Sequence, residues 1–166
     1  MIGDARFSAC RTYRWTLSRT WDDGPTLQVV GLNPSTADEV HNDPTVTRCI
    51  RYAQRWGYGR LLMTNAYGLR STDPRGLREV ADPVGPRNDH WIRRCATEAD
   101  RVLIAWGNHG TERAPRLLRL LDEVWCLGIT KTGQPKHPLY LRADLEPVPY
   151  DRGSIEVRQA SRSLTT

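Results

Sequence analysis

Four short apolar runs mark this chain, and each stops in polar or glycine-containing sequence. They are Val29-Val30-Gly31-Leu32-Asn33-Pro34-Ser35-Thr36, Leu61-Leu62-Met63-Thr64-Asn65, Val102-Leu103-Ile104-Ala105-Trp106-Gly107-Asn108 and Val124-Trp125-Cys126-Leu127-Gly128. Apolar runs of this length, bounded by turn signals, predict buried strands. Helical spacing falls between them. After Asp43, a good N-cap, and Pro44, suited to the first helical position, Val46, Cys49, Ile50 and Ala53 recur at i, i+3, i+4 and i+7, and Gly57 ends the helix. A second helix is predicted over about residues 87–98 with Trp91, Ile92 and Cys95 inward. A third opens at the turn Gly107-Asn108-His109-Gly110-Thr111 and runs through Leu117, Leu118, Leu120 and Leu121.

The remaining segments fill in around this frame. Residues 13–21 alternate as a strand, Asp22-Asp23-Gly24-Pro25 is a turn, and residues 27–31 follow, so the opening pair predicts a hairpin leading into the first core strand. Residues 72–77 form a loop with a short helix behind it, and residues 130–141 form a polar loop with Gly133, Pro135 and Pro138. Strands alternating with helices predict an α/β fold, a three-layer α/β/α sandwich on a central four-stranded, mostly parallel sheet. One domain is expected over residues 1–150, then an edge strand near residues 154–157 and a flexible tail to residue 166. The carboxyl ends of parallel strands carry the chemistry of open α/β folds. Asn33, Asn65, Asn108 and His137 are expected to converge there.

Composition narrows the classes. Of 166 residues, 39% are hydrophobic and 26% charged, which suits one globular domain. No apolar run approaches the ~20 residues that span a bilayer. Residues 1–11 lack the apolar core of a signal peptide, so a cytoplasmic protein without membrane association is expected. The four cysteines are scattered without a CxxC pair, so neither a metal site nor a redox motif is indicated. A net charge of +5, carried mostly by arginine, admits nucleic acid as a partner without requiring it.

Several side chains could carry chemistry. Asn33 can hold a water or read a polar group, or simply bond its own backbone in the turn. Asn65 offers both donor and acceptor on one side chain, suited to a base edge or to strand-end capping. The turn holding Asn108 and His109 presents backbone N–H groups to an anion, although no P-loop is present and phosphoryl transfer is disfavoured. His137 could stabilise charge on a leaving group, and Lys131 and Lys136 could contact phosphates or form a solvated basic loop. Asp38 or Glu39 could act as general base, Asp43 having its role as helix cap. Arg48, Arg51 and Arg55 form either a solvated helix face or, with Trp56, Tyr58 and Arg60, a nucleic-acid patch.

Asn33-Pro34-Ser35-Thr36-Ala37-Asp38, Asp43-Pro44-Thr45, Arg55-Trp56-Gly57-Tyr58-Gly59, Thr72-Asp73-Pro74, Asp82-Pro83-Val84-Gly85-Pro86-Arg87-Asn88-Asp89, Ala105-Trp106-Gly107 and His137-Pro138-Leu139-Tyr140-Leu141 together resemble the domain of unknown function 1643, over residues 10–145. More distantly, Gly31-Leu32-Asn33-Pro34 and His137-Pro138 resemble the first and second motifs of the uracil-DNA glycosylase superfamily. The second motif here continues Leu139-Tyr140 in place of Ser-Pro, and the first has Ser35-Thr36 where Tyr or Gly is common.

That resemblance implies a metal-free, cofactor-free hydrolysis of an N-glycosidic bond in single- or double-stranded DNA by a monomer. Asn33 would orient water, His137 would stabilise the departing base, and Asp38 would be the reserve base. Gly31, Leu32, Pro34, Ser35, Asn65 and Tyr67 would form the base pocket. Asn108, His109, Lys131, Lys136, Arg48 and Arg51 would face phosphates. The rival expectations are an N-glycosidase on free nucleotides or nucleosides, and a non-catalytic nucleic-acid-binding module.

Overall fold

The structure, a computed structural model, describes residues 1–153. Within them run β1 (Ile2–Phe7), β2 (Arg14–Thr20), β3 (Thr26–Gly31), α1 (Pro44–Arg55), β4 (Arg60–Asn65), α2 (Asn88–Glu98), β5 (Arg101–Ile104), α3 (Ala114–Leu120), β6 (Trp125–Cys126) and β7 (Val148–Pro149). Short 3-10 turns cover Pro74–Arg78 and Asn108–Gly110. The strands form one sheet in the order β1-β2-β4-β3-β5-β6-β7. Its centre, β4-β3-β5-β6, is parallel, and β1, β2 and β7 pair antiparallel at the flanks.

The period of two along each strand divides the core. Leu27 and Val29 of β3, Leu61 and Met63 of β4 and Leu103 of β5 pack with Val46, Cys49, Ile50 and Ala53 of α1. Val30, Val102 and Ile104 pack on the opposite face with Ile92 of α2 and Ala114 and Leu117 of α3. Helices therefore cover both faces, as parallel strands require. Gln28 points into the second face, fully buried, and its amide donates to Thr64 Oγ1 (3.0 Å) and the Ile92 carbonyl (3.1 Å). On α1, Asp43 Oδ1 accepts from Val46 N–H at 2.8 Å, and Gly57 follows the helix at φ +86°. This matches the predicted start and stop.

Three expectations are corrected. The sheet is mixed and seven-stranded, not four-stranded: β1 carries mostly exposed residues and β7 spans two, so neither leaves an apolar signature. The predicted hairpin does not form, because both edges of β3 are occupied by β4 and β5; β2 pairs with β1 and β4 instead. Trp91 is only half-buried on α2, with Arg6 over its ring at 4.7 Å. The strand expected near residues 154–157 lies outside the described residues.

Candidate functional site

A cleft of about 650 Å³ opens where β3 and β5 end. Leu32, Asn33 and Ser35 enter it from β3, and Trp106, Gly107, Asn108 and His109 from β5. Ser71, Thr72 and Pro74 follow β4, Asp43, Pro44 and Thr45 open α1, and Lys136, His137, Leu139 and Leu141 come from the loop after β6.

Asn33 Nδ2 donates to the carbonyls of Pro34 (3.1 Å) and Ser71 (2.8 Å). Two carbonyl acceptors fix which way the amide points. Among the described residues no protein group then engages Oδ1, so a cleft residue keeps an acceptor in reserve.

His137 is fixed in the complementary sense. Its Nδ1 accepts from Leu139 N–H at 3.2 Å, so the neutral ring carries its proton on Nε2. Burial pushes the imidazolium pKa below the ordinary histidine value, with the charge of Asp43 pulling weakly the other way. The site thus holds a neutral histidine with one N–H to donate.

The loop bearing His137 is tied to the end of β5. Gly107 N–H donates to the Pro135 carbonyl (2.8 Å), and Trp106 Nε1 donates to Gln134 Oε1 (2.9 Å), both partners being buried. Asn108 Oδ1 accepts from the hydroxyls of Thr130 and Thr132, each at 2.7 Å. Gly107 adopts φ +66°, ψ −169°, a region essentially reserved for glycine. Within the turn, the N–H groups of Gly107, Gly110 and Thr111 already bond to the chain, so they offer no anion cradle.

Sequence reasoning gave Asp43 only its capping role, yet this buried carboxylate also lines the cleft, and its charge reaches His137. Two buried arginines of β2 position the segment leading to it. Arg14 donates to the Ala37 carbonyl (3.2 Å) and Arg19 to the carbonyls of Asp38 (2.5 Å) and His41 (3.1 Å) and to Asn42 Oδ1 (2.9 Å). Desolvation pushes the Arg14 pKa down to about 10, the charge of Asp43 partly opposing it. The sequence signal was Arg19 in the apolar phase of an alternating strand; Arg14 sits in the polar phase and gave none.

Other expected site residues stand elsewhere. Asn65 is buried outside the cleft lining, its Oδ1 accepting from Arg14 at 3.1 Å, so it is a bracing group rather than a base reader. Gly31 is the close neighbour that lets it fit, since a Cβ there would stand 2.9 Å from Asn65 Nδ2. Pro34 is buried behind the lining and contributes its carbonyl to Asn33. Tyr67 lines a neighbouring depression with Leu77, Arg78 and Glu112.

Asp38 folds back on its own loop, Oδ1 accepting from Val40 N–H (2.9 Å) and His41 N–H (2.7 Å). Those bonds, the His41 N–H first, hold its carboxyl well below the usual range. Glu39 pairs with Arg11 at 3.0 Å. The arginine face of α1 is taken by the chain itself: Arg48 donates to the Leu141 carbonyl, and Arg55 to the Leu145 carbonyl (3.0 Å) while pairing with Glu146. Arg51 and Lys131 are exposed outside the lining, whereas Lys136, Asn108 and His109 stand at the cleft.

Among the described residues no group of three or more His, Cys, Asp or Glu side chains is placed to hold a metal ion, and no helix is long and apolar enough to cross a membrane. Fold and site together define an α/β protein with a mainly apolar cleft, carrying a few placed polar groups, at the carboxyl ends of its parallel strands. The chain belongs to the family of proteins of unknown function DUF1643, whose model matches residues 14–139. That span includes both Asn33 and His137. No curated protein and no solved structure matches the chain.

Proposed function

We propose that the cleft hydrolyses an N-glycosidic bond, releasing a damaged, deaminated or modified base from DNA. One observation carries the reading: a single cleft holds an amide oxygen without a partner among the described residues, on Asn33, and a neutral imidazole N–H, on His137. The reaction needs those two groups. The C1′–N bond breaks with its electron pair leaving on the base, and the sugar becomes an oxocarbenium ion. Asn33 Oδ1 accepts a hydrogen bond from the water that adds to C1′. His137 Nε2–H donates to the base as its negative charge grows, and a neutral donor does so without giving up its proton. The water's proton passes to solvent, and the released base regains one there.

Asp43 replaces Asp38 as the carboxylate of the site, stabilising charge instead of acting as a base. A buried carboxylate in the cleft lies well for the positive charge that develops on the sugar. Lys136, Asn108 and His109 at the opening are the proposed phosphate contacts. In duplex DNA the nucleotide is first flipped out, at a cost of a few kcal/mol. Further support comes from the likeness of Gly31-Leu32-Asn33-Pro34 and His137-Pro138 to the uracil-DNA glycosylase motifs, and from a parallel β4-β3-β5-β6 core with its cleft at the carboxyl ends.

The test is base release from single- and double-stranded oligonucleotides carrying uracil, hypoxanthine, xanthine, mismatched thymine or oxidised pyrimidines, with abasic sites revealed by alkali. Cleavage at one lesion, lost in Asn33→Ala and His137→Ala, supports the proposal. Folded protein that releases no base from any of them overturns it.

A further inference from the structure

Beside the cleft lies a second depression of about 470 Å³ lined by Arg11, Thr12, Ser35, Arg70, Ser71 and Thr72. Three of these, Ser35, Ser71 and Thr72, also line the cleft, so the two spaces share a wall. Among the described residues the lining has one chemical character: two guanidinium groups and four hydroxyls, with no carboxylate and no apolar side chain.

The two guanidinium groups are gathered rather than dispersed. Arg11 and Arg70 both pack on the ring of Phe7, at 3.8 Å and 4.9 Å from its centroid. Arg11 forms a two-bond fork with Glu39 (3.0 and 3.1 Å), a pair that is half-exposed and solvent-screened, so Arg70 is the less committed of the two guanidinium groups. Arg70 makes no ion pair among the described residues; its bonds are long ones, to the carbonyls of Ser35 (3.5 Å) and Arg11 (3.3 Å). Its charge is felt by the buried Arg14, which adds to the positive field on that side. The Ser71 hydroxyl is taken, donating to the Asp73 carbonyl at 2.7 Å. Two guanidinium groups on one ring beside the hydroxyls of Thr12, Ser35 and Thr72 are matched by an oxoanion with several acceptor oxygens.

We propose that this depression is a phosphate-binding subsite, with Arg70 as its principal donor and Arg11 and the hydroxyls of Thr12, Ser35 and Thr72 completing the cradle. Its link to a nucleotide rests on the reading of the cleft. A base and sugar seated in the cleft would carry their phosphate across the shared wall onto Arg70. The phosphate belongs either to a nucleoside monophosphate or to a DNA backbone.

The first arm of the test titrates isotopically labelled protein with inorganic phosphate against chloride of equal ionic strength, followed by NMR. Saturable shifts centred on Thr12, Arg70, Ser71 and Thr72, weakened about tenfold or more in Arg70→Gln, are expected. Shifts that match chloride, or that survive Arg70→Gln in a folded variant, overturn the subsite.

The second arm compares thymidine, thymidine 5′-monophosphate and single-stranded oligothymidylate. An Arg70-dependent gain for the monophosphate identifies a free nucleotide as the source, and a gain confined to the oligonucleotide identifies a backbone phosphodiester. Equal binding of all three overturns the link to the cleft. His137→Ala separates the two proposals, because His137 does not line the depression and its loss should leave the phosphate shifts intact. Arg70-dependent binding without base release from any lesion keeps the subsite and removes the glycosidic reading.

Discussion

The backbone N–H of Leu139 donates to Nδ1 of His137 at 3.2 Å, and this contact decides where the ring keeps its proton. Protonating Nδ1 would set two donors face to face. Burial already disfavours the imidazolium, so the folded protein binds this proton less readily than the unfolded chain. Stability is then full above the ordinary histidine value of 6.5 and declines as pH falls from there through the lowered folded value. Thermal unfolding against pH should show a loss below pH 6.5 that His137→Gln reduces. Equal pH slopes in the two proteins would show that the ring is not held neutral.

Gly107 joins β5 to the histidine loop in a conformation that other residues rarely adopt. A Cβ there has room, standing 3.5 Å from His137 Cβ, so the cost of Gly107→Ala falls on the backbone. We expect a loss of about 1–3 kcal/mol in urea unfolding. The variant that keeps its stability must shift its backbone, releasing the bond to Pro135 and moving the His137 signals in NMR spectra.

Much of this arrangement was legible in the sequence. The helix over residues 44–55 followed from Asp43-Pro44 and a clean apolar period, and the parallel core from four apolar runs with abrupt polar ends. Asn33 and His137 were found because they follow such ends. What escaped notice depended on long-range pairing. Asn65 ends a strand just as Asn33 does, but an arginine from β2, 51 positions away in sequence, binds it below the surface. Asp43 was passed over because a local role, the helix cap, already explained it. Strand β1 lacks an apolar face because it is an edge with little to bury.

The cysteines should separate cleanly by reactivity. Cys10 is exposed on the turn before Arg11 and Thr12, and its hydrogen bond to Thr12 Oγ1 (3.1 Å), above other causes, draws its pKa down to about 7. Burial pushes Cys49 up to about 12 and Cys95 up to about 11, and raises Cys126 as well. Brief alkylation of the native protein near pH 8 should add one group, at Cys10, with a rate midpoint near pH 7. A second rapid addition would mean that one of the buried thiols is accessible. Since Thr12 lines the phosphate depression, bound phosphate should slow the alkylation of Cys10.

Asp43 and Asp38 lie five residues apart and answer differently to the loss of charge. Asparagine caps a helix about as well as aspartate. Asp43→Asn can therefore keep the bond to Val46 N–H while removing the charge that lines the cleft. Base release should fall about 10²-fold, the scale of losing one fixed group that stabilises a transition-state charge. Asp38→Asn alters a loop-bracing carboxylate that does not line the cleft, and its side-chain oxygen can still accept from Val40 and His41. Its rate should stay within a few-fold of the native protein, with a modest loss of stability. Rates measured on whichever lesion the native protein cleaves decide between them. A large defect in Asp38→Asn with none in Asp43→Asn would return the essential carboxylate to the loop and remove Asp43 from the mechanism.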